Sequence, residues 1–266
     1  MKPSVKNQGS GSPQIPSKEA IHRILKSIQS VNDAAAENAL VGHMKAATAP
    51  TILSFVNAHA INLAWNNGAL QNAFLKSDYI LRDGIGVEIV MPWFQMEPGL
   101  NMCGTDFIPR LIKEFKGRTI AIFGTQDPWL SNATQIITAD GGNVVCTSNG
   151  FQDSEHYLAL ADTHKPDLIV LAMGMPKQEL LSARLKETMT TPTLIVNGGA
   201  VIDFIGGKVS RAPEFVRRVK LEWAYRLMLE PKRLFERYVV GNPLFLSRCA
   251  ALSRSHASPQ LDAGQS

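Results

Sequence analysis

Clusters of small and polar residues directly follow the apolar runs of this chain, and their types point to anion binding. The run at 167–174 ends in a glycine and is followed by a proline and by Lys177, Gln178 and Glu179. Glycines let a ligand approach the backbone closely, and the free N–H groups and dipole of a helix N-terminus favour an anion. We therefore expect a nucleotide or a phosphate ester here. Tight strand-to-helix turns without a ligand are the alternative.

Similar clusters end the other apolar runs. They are Asn57; Asp83 with Gly84; Gly124 with Thr125 and Gln126; and Asn197 with Gly198 and Gly199. Ligands of open parallel sheets bind outside the carboxyl ends of the strands. The clusters should therefore meet in one site.

A regular strand–helix alternation would position these clusters. The apolar runs predict strands at 51–58, at the start of 79–90, and at 118–124, 143–148, 167–174 and 193–199. The segments between them predict amphipathic helices, and a further short helix is expected at 18–30. Repeated βαβ units indicate an α/β, Rossmann-like fold with a mostly parallel sheet that is flanked by helices and buried on both faces.

The ends of the chain differ from its centre in composition. Residues 1–18 and the tail 254–266 are polar, so we predict that both are disordered. Between them, 19–206 is the predicted Rossmann-like domain. After it the strand pattern stops, and 207–253 is predicted to be a basic helical appendage interrupted at Pro231.

The positive charge of the chain is concentrated in this appendage. The net charge is +4, and residues 207–237 hold nine Lys/Arg and four Glu. Such a cluster suggests an anionic partner. Large apolar residues beside the basic ones suit a helix at an anionic membrane surface, with an ordinary solvated basic face as the alternative. We see no nucleic-acid motif and expect no nucleic-acid partner.

Common nucleotide motifs are missing. The chain has no G-x-x-x-x-G-K-[ST] phosphate loop, and DGIGVEI has Ile89 where a G-x-G-x-x-G motif needs its third glycine. No D-x-D pair offers carboxylates for a metal–diphosphate. A diphosphate would instead be neutralised by backbone N–H groups and basic side chains.

Metal ligands and membrane spans are not evident either. The three cysteines and the histidines His59, His156 and His164 lack metal-ligand spacing. We therefore expect no metal site and treat these histidines as surface or capping residues. No apolar run approaches the roughly 20 residues of a membrane span, and no secretory signal is visible. A cytoplasmic protein is expected.

The motifs together resemble the WecG/TagA/CpsF family of glycosyltransferases. The resemblance runs from about residue 50 to 240 and is carried by NAHAINLA, LRDGIGVEI, CGTDFIPRL, IAIFGTQ, PDLIVLAMGMPKQE, LIVNGGAVIDFIGGKVSRAPEF and LEWAYRLMLEPKRLFERY. It implies an inverting hexosyltransferase that moves a sugar from a UDP-sugar to a polyprenyl-diphosphate-linked saccharide. The implied pathway is bacterial surface polysaccharide or exopolysaccharide synthesis.

The resemblance also implies partners and a location. The protein would lie peripherally on the anionic inner face of the cytoplasmic membrane. The UDP-sugar is a substrate, so no cofactor and no metal are expected. A homo-oligomer is compatible with the resemblance.

Individual residues receive roles from the same resemblance. Asp83 is the expected catalytic base, and Gln178 is the expected direct contact to the donor nucleotide. The other residues expected around the donor are Asn57, Gly84, Gly124, Gly174, Pro176, Lys177, Glu179, Asn197, Gly198, Gly199 and Asp203. The residues expected to meet the acceptor or the membrane are Thr105, Asp106, Arg211, Arg218, Arg226, Arg233 and Arg237.

Two other functions stay open at this point. One is another nucleotide-dependent enzyme on a Rossmann-like sheet, such as a dehydrogenase; the missing third glycine argues against it. The other is a non-catalytic scaffold that holds a membrane through the appendage; the intact Asp83 and PKQE argue against that. The sugar, the acceptor glycan and the linkage are not named by the sequence.

Overall fold

The computed structural model describes residues 16–213, 215–216 and 222–257, with Arg233 described by its backbone alone. Arg218 lies outside the described residues. The same holds for 1–15 and 258–266, which make up most of the two terminal segments predicted to be disordered.

A parallel β-sheet forms the centre of the described chain. Its strands are β1 (Ile28–Gln29), β2 (Thr51–Val56), β3 (Tyr79–Arg82), β4 (Thr119–Gly124), β5 (Asn143–Ser148), β6 (Leu168–Ala172) and β7 (Leu194–Asn197). Their order across the sheet is β1-β3-β2-β7-β6-β4-β5, and every neighbouring pair is parallel. The predicted α/β, Rossmann-like fold is confirmed.

Helices cover both faces of this sheet. They are α1 (Lys18–Lys26), α2 (Ala34–Lys45), α3 (Ala58–Ala64), α4 (Gly68–Leu75), α5 (Ile85–Val90), α6 (Gly104–Glu114), α7 (Trp129–Ala139), α8 (Ser154–His164), α9 (Lys177–Thr188), α10 (Val201–Ile205), α11 (Glu222–Leu229), α12 (Pro231–Phe235) and α13 (Gly241–Ala257). A 3₁₀ turn at Met91–Phe94 follows α5, and a π-helical turn at Glu236–Val240 joins α12 to α13. Of the described helices, none combines the length and the apolar character that crossing a membrane requires.

The apolar strands bury side chains on both faces, as the continuous apolar runs predict. Leu168 and Val170 of β6 pack in one core cluster with α2, α6, α7 and α10. Ile169 and Leu171 pack in another cluster with α8 and α9. Successive strand residues point to opposite faces, so a strand between two helical layers must be apolar throughout. This arrangement leaves the polar residues to the strand ends.

The last helix packs into the core rather than standing apart from it. Phe245, Cys249 and Leu252 of α13 are almost completely buried in a third cluster, with residues of α1, α3, α4 and α5. Their spacing places them on one helix face. The predicted appendage 207–253 therefore includes a helix of the main core. The same helix continues to Ala257, so the first residues of the predicted disordered tail are helical.

Two elements before the first long strand have no counterpart among the predictions. The helix expected at 18–30 ends at Lys26, and β1 follows it; α2 then covers Ala34–Lys45. A strand of two residues shows no periodicity, which explains why β1 escapes sequence reasoning. The helix starts carry ordinary signals, since Ser17 and Asp33 accept hydrogen bonds from backbone N–H groups in the first turns of α1 and α2.

Replacing Phe245 by Ala should lower the free energy of unfolding by about 3–5 kcal/mol, because the buried ring of α13 would leave a cavity. The ring lies against Gly86 of α5, where an added Cβ would be 3.7 Å from it. Urea denaturation measures the change. Phe235→Ala is the matched control, since Phe235 is 55% exposed. Equal effects of the two substitutions would show that α13 is not part of the core.

Candidate active site

The carboxyl ends of the strands open into a cleft that the C-terminal helices cover from one side. Two adjoining cavities of about 190 and about 430 Å³ form it, and ligand pockets typically measure about 300–1,000 Å³. Residues that line both cavities are Asn57, His59, Asp83, Thr105, Arg226 and Arg237. The strand-end clusters and the C-terminal arginines thus share one site.

Most of the predicted site residues border this cleft. Of the other predicted site residues, Gly84 lines the smaller cavity. The predicted site residues that line only the larger cavity are Gly174, Gln178, Asn197, Gly198, Gly199 and Asp203. Predicted site residues that line neither cavity are Gly124, Pro176, Lys177, Glu179, Asp106 and Arg211. The side chain of Arg233 is not described.

Asp83 is held at the end of β3 by contacts that leave its carboxylate facing the cleft. Its backbone N–H donates to the Val56 carbonyl at 2.9 Å. The Asn57 amide, which also caps α3, donates to a carboxylate oxygen of Asp83 at 3.3 Å. The next residue, Gly84, has φ +87°, a left-handed conformation that favours glycine. Asp83 is half-buried and forms no ion pair with any described residue.

Arg82, the residue before Asp83, is buried and anchors the loop of residues 98–101, which contributes Asn101 to the smaller cavity. Its guanidinium donates to the carbonyls of Pro98 and Gly99 at 2.7 and 2.8 Å and pairs with Glu88 of α5 at 3.1 Å. Burial lowers the pKa of Arg82, and the Glu88 carboxylate opposes that shift. The Arg82 guanidinium therefore holds the loop and forms no ion pair with the neighbouring Asp83.

The anchored loop brings further residues to the smaller cavity. Asn101 accepts a hydrogen bond from the Gly84 N–H at 2.9 Å, and Cys103 precedes α6. Burial, followed by the nearby Asp83 charge, raises the pKa of Cys103 to about 12. Cys103 is therefore an uncharged thiol at neutral pH and not a nucleophile.

Gln178 joins the two glycine turns of the larger cavity. Its Oε1 accepts hydrogen bonds from the N–H groups of Gly174 and Gly199 at 3.2 and 3.0 Å. Its Nε2 donates to Glu179 at 2.8 Å. The side chain is 1% exposed. These bonds give Gln178 a positioning role, whereas its direct contact with a nucleotide stays a prediction.

Lys177 is directed toward a neighbouring loop. Its ammonium donates to the carbonyls of Gly150 and Gln152 at 2.8 and 2.7 Å, and it lies 5.5 Å from the centroid of the Tyr157 ring. These contacts fix the loop after β5, which carries Gly150 and Phe151 into the larger cavity. Lys177 thus shapes the cavity from outside its lining.

Two buried polar residues, Asn197 and Glu179, lie beside the glycine turns that Gln178 joins. Asn197 donates to the hydroxyls of Ser54 and Ser182 at 2.8 and 3.1 Å, which ties β7 to β2 and α9. Glu179 is 1% exposed, and one of its carboxylate oxygens has no hydrogen-bond partner. Burial raises the pKa of Glu179 to about 7, against the lowering effect of the Gln178 hydrogen bond.

The far side of the larger cavity is built around Asp203. Thr125 donates a hydrogen bond to its carboxylate, and Lys208 pairs with it at 3.1 Å. Thr125 follows Gly124, where an added Cβ would lie 2.2 Å from the Ala172 carbonyl oxygen. Gly124 therefore permits the close approach of β4 and β6 at the cavity wall.

Ion pairs connect the C-terminal helices to the sheet domain. Arg211 forms a bidentate pair with Asp106 in the first turn of α6, with one of the two bonds at 3.0 Å. It also lies 3.6 Å from Glu222 of α11, which lines the smaller cavity. Asp106 and Arg211, which were both predicted to meet the acceptor or the membrane, therefore position α11 over the cleft.

Arg226 of α11 brings a positive charge to the cleft. Its guanidinium lies 5.5 Å from the centroid of the Phe204 ring. In the described part of the chain, its side chain has no ion pair or hydrogen bond, and its Nε is buried. A half-buried guanidinium in this state is suited to bind an anion.

His59 borders both cavities but is not a surface residue. Burial, with a smaller effect of the Arg237 charge, lowers the pKa of His59 to about 4. The ring is therefore neutral at pH 7. The expectation of a surface or capping role is wrong for His59, because α3 turns it into the cleft. His156 fits that expectation, since its side chain is exposed.

Sequence reasoning missed the residues whose role depends on contacts between distant segments. They are Arg82, Glu88, Asn101 and Tyr238, together with Glu222 and Trp223 of α11. Arg82 stands in a strand pattern, where a charged residue between apolar ones is the signal that could have identified it. The ring of Trp223 packs edge-on against Tyr238, with centroids 6.1 Å apart.

Comparisons with known proteins agree with the family that the sequence motifs resemble. A model of the glycosyl transferase WecG/TagA/CpsF family matches residues 23–258. An N-acetylglucosaminyldiphosphoundecaprenol N-acetyl-beta-D-mannosaminyltransferase of Bacillus spizizenii is 25% identical over 201 residues, which cover 74% of this chain and 77% of the relative. A protein of the same name from Bacillus subtilis is 27% identical over 187 residues, or 68% of this chain and 73% of the relative.

The buried Glu179 should make stability depend on pH. Its pKa of about 7 lies above the ordinary value of 4.5, so the folded protein keeps a proton that the unfolded chain releases. The contribution of Glu179 to the free energy of unfolding should therefore be largest below pH 4.5 and fall as the pH rises through 7, by at most about 3 kcal/mol.

Glu179→Gln removes this titration and should abolish that part of the decline. Urea denaturation at pH 5, 6, 7 and 8 measures it, with the exposed Glu155→Gln as the matched control. If Glu179→Gln shows the same decline between pH 5 and 8 as the wild type, the assigned titration is wrong.

Proposed function

Because the chain belongs to the WecG/TagA/CpsF family of glycosyltransferases, we propose that it transfers a sugar from a UDP-sugar to a polyprenyl-diphosphate-linked saccharide, with inversion at the anomeric carbon. The names of the two Bacillus relatives support this class of acceptor, and they suggest an N-acetylated hexosamine as the transferred sugar. The proposed setting is bacterial surface polysaccharide or exopolysaccharide synthesis.

One observation carries the proposal: Asp83 and Arg226 face the same two cavities, and neither forms an ion pair with a described residue. A carboxylate in this position is suited to accept a proton. A guanidinium in this position is suited to hold a phosphate. Direct pairing of the two would remove both functions, so the absence of an ion pair between them is the feature that the chemistry needs.

The reaction is a single displacement. The acceptor hydroxyl oxygen bonds to the anomeric carbon while the bond from that carbon to UDP breaks, and UDP leaves with the electron pair. The Asp83 carboxylate takes the hydroxyl proton, and such general-base help contributes about 10²–10⁴-fold to the rate. The Asn57 amide orients the carboxylate through its hydrogen bond of 3.3 Å. Because the hydroxyl attacks opposite to the leaving UDP in one displacement, the anomeric carbon is inverted, and one base suffices.

The donor is proposed to lie in the larger cavity. The glycine N–H groups there are already engaged, since Gln178 accepts from Gly174 and Gly199, and the Gly198 N–H donates to the Leu171 carbonyl. These backbone groups are therefore not available to phosphates. The charge of UDP would be met mainly by Arg226 and Arg237, which reach the cavity from the C-terminal helices.

The lipid-linked acceptor is proposed to approach from the C-terminal helices. This region exposes large apolar side chains: Trp223, Met228, Leu229, Phe235, Val239 and Val240. Soluble surfaces rarely expose so many apolar residues together. Beside the arginines of the cleft, they suit attachment to an anionic bilayer. We place the protein peripherally on the inner face of the cytoplasmic membrane.

Asp83→Asn should lower turnover by about 10²–10⁴-fold, because the amide cannot accept the hydroxyl proton. Affinity for UDP should change little, since the substitution keeps the size of the side chain. The rate is measured with a panel of UDP-sugars and polyprenyl-diphosphate N-acetylglucosamine, with and without EDTA, which also tests the expected metal independence.

The exposed Asp162→Asn is the matched control and should keep full activity. Parallel losses of turnover and UDP affinity in Asp83→Asn would refute the base assignment. Wild-type protein that transfers no sugar and binds NAD would favour the dehydrogenase alternative. Wild-type protein that binds neither nucleotide would favour the scaffold.

The double substitution Met228→Ser and Phe235→Ser should weaken binding to anionic vesicles by about tenfold or more, because each side chain loses apolar contact with the bilayer. Flotation with phosphatidylglycerol-containing vesicles measures binding. Ile136→Ser on α7 is the control, since Ile136 is also exposed, at 47%. Unchanged flotation of the double variant would argue against membrane attachment through this surface.

A further inference from the structure

Asp83 lines both cavities of the cleft, and its position suggests how the two substrates are divided between them. Under the proposed function, on which this inference rests, the donor lies in the larger cavity and the acceptor hydroxyl must reach the same carboxylate. The smaller cavity measures about 190 Å³, less than the roughly 300–1,000 Å³ of a typical ligand pocket. It is therefore suited to one part of the acceptor and not to the whole molecule.

The charges around the smaller cavity favour a neutral group. Among the described residues, three carboxylates and two guanidinium groups line it, those of Asp83, Glu88, Glu222, Arg226 and Arg237. In the lining of the larger cavity, Asp203 and Lys208 take the place of the two glutamates. Because like charges repel, a phosphate is disfavoured beside the glutamates. Sugar hydroxyls can instead donate hydrogen bonds to carboxylates.

Asn101 offers an oriented hydrogen-bond donor to the smaller cavity. Its Oδ1 accepts from the Gly84 N–H at 2.9 Å and from the Arg82 guanidinium at 3.4 Å. Both of these groups can only donate, so the oxygen must face them and the orientation of the amide is fixed. In the described part of the chain, no group accepts a hydrogen bond from its Nδ2. An oxygen of a bound ligand can therefore accept this hydrogen.

Trp223 of α11 gives the same cavity an apolar wall. Its side chain lines the smaller cavity and not the larger one, and it is 37% exposed. Tyr238, which lines the same cavity, packs edge-on against the ring. Sugar rings present an apolar face of C–H groups, and an aromatic side chain buries a large apolar area against such a face. An aromatic ring beside oriented polar groups thus suits a sugar.

We propose that the smaller cavity binds the terminal sugar of the lipid-linked acceptor. Asn101 donates a hydrogen bond to an oxygen of this sugar, and Trp223 packs on its ring. The bound sugar then presents its hydroxyl to Asp83, at the border with the larger cavity. Asn101 and Trp223 bind the acceptor and take no part in proton transfer, so they should determine the affinity for the acceptor without changing the affinity for UDP.

Steady-state kinetics with a water-soluble acceptor test this site. The acceptor is N-acetylglucosamine diphosphate with a short alkyl chain, used without vesicles so that membrane attachment does not affect the rate. Trp223→Ala should raise the KM for this acceptor by about tenfold or more, and Trp223→Phe should restore most of the affinity. Asn101→Asp keeps an oxygen for Gly84 and Arg82 but loses the donor, so its KM should also rise by about tenfold. Calorimetry should give an unchanged Kd for UDP.

Trp93→Ala is the matched control and should keep the wild-type KM, because Trp93 is 40% exposed and lines neither cavity. The inference is overturned if Trp223→Ala and Asn101→Asp keep the wild-type KM for the acceptor. It is also overturned if both substitutions weaken UDP binding as much as acceptor binding, since that would indicate a displaced helical cover. Either result leaves the proposed function intact. A wild type that transfers no sugar would refute the proposed function, and the inference with it.

Discussion

The geometry of the site depends on how the charges of two adjacent residues, Arg82 and Asp83, are separated. Burial of the Arg82 guanidinium would be unfavourable without partners, and two carbonyls and Glu88 provide them. The Asp83 carboxylate is therefore left to face the cleft, with the Asn57 amide as its neighbour. The same interaction fixes the loop that leads into α6, so one buried cation organises the wall of the smaller cavity.

The two halves of the cleft are built differently. The larger cavity rests on a buried polar network around Gln178, Glu179 and Asn197, which holds the strand-end turns in place. Such a network is rigid because each buried bond is costly to break. The positive charge comes from α11 and the turn after α12, which are joined to the sheet domain through Arg211. A rigid polar cavity thus meets a cationic cover that exposes apolar side chains.

The sheet, and the convergence of the strand-end clusters on one cleft, could be predicted because both follow from local patterns. Apolar runs identify buried strands, and polar residues at their ends identify the edge where ligands bind. The side-chain directions of Lys177 and Gln178 could not be predicted, since they depend on segments 21 to 27 residues away. The burial of α13 was indicated by the spacing of Phe245, Cys249 and Leu252, but its neighbours in α3 and α5 are visible only in three dimensions.

The most direct test of the account is a crystal structure of the protein with UDP and a lipid-linked acceptor analogue. The account predicts the diphosphate against the Arg226 guanidinium and the acceptor hydroxyl at the Asp83 carboxylate, within hydrogen-bond distance and about 3–3.5 Å from the position of the anomeric carbon. A diphosphate bound away from Arg226, or an acceptor hydroxyl that meets a different base while Asp83 points elsewhere, would contradict it.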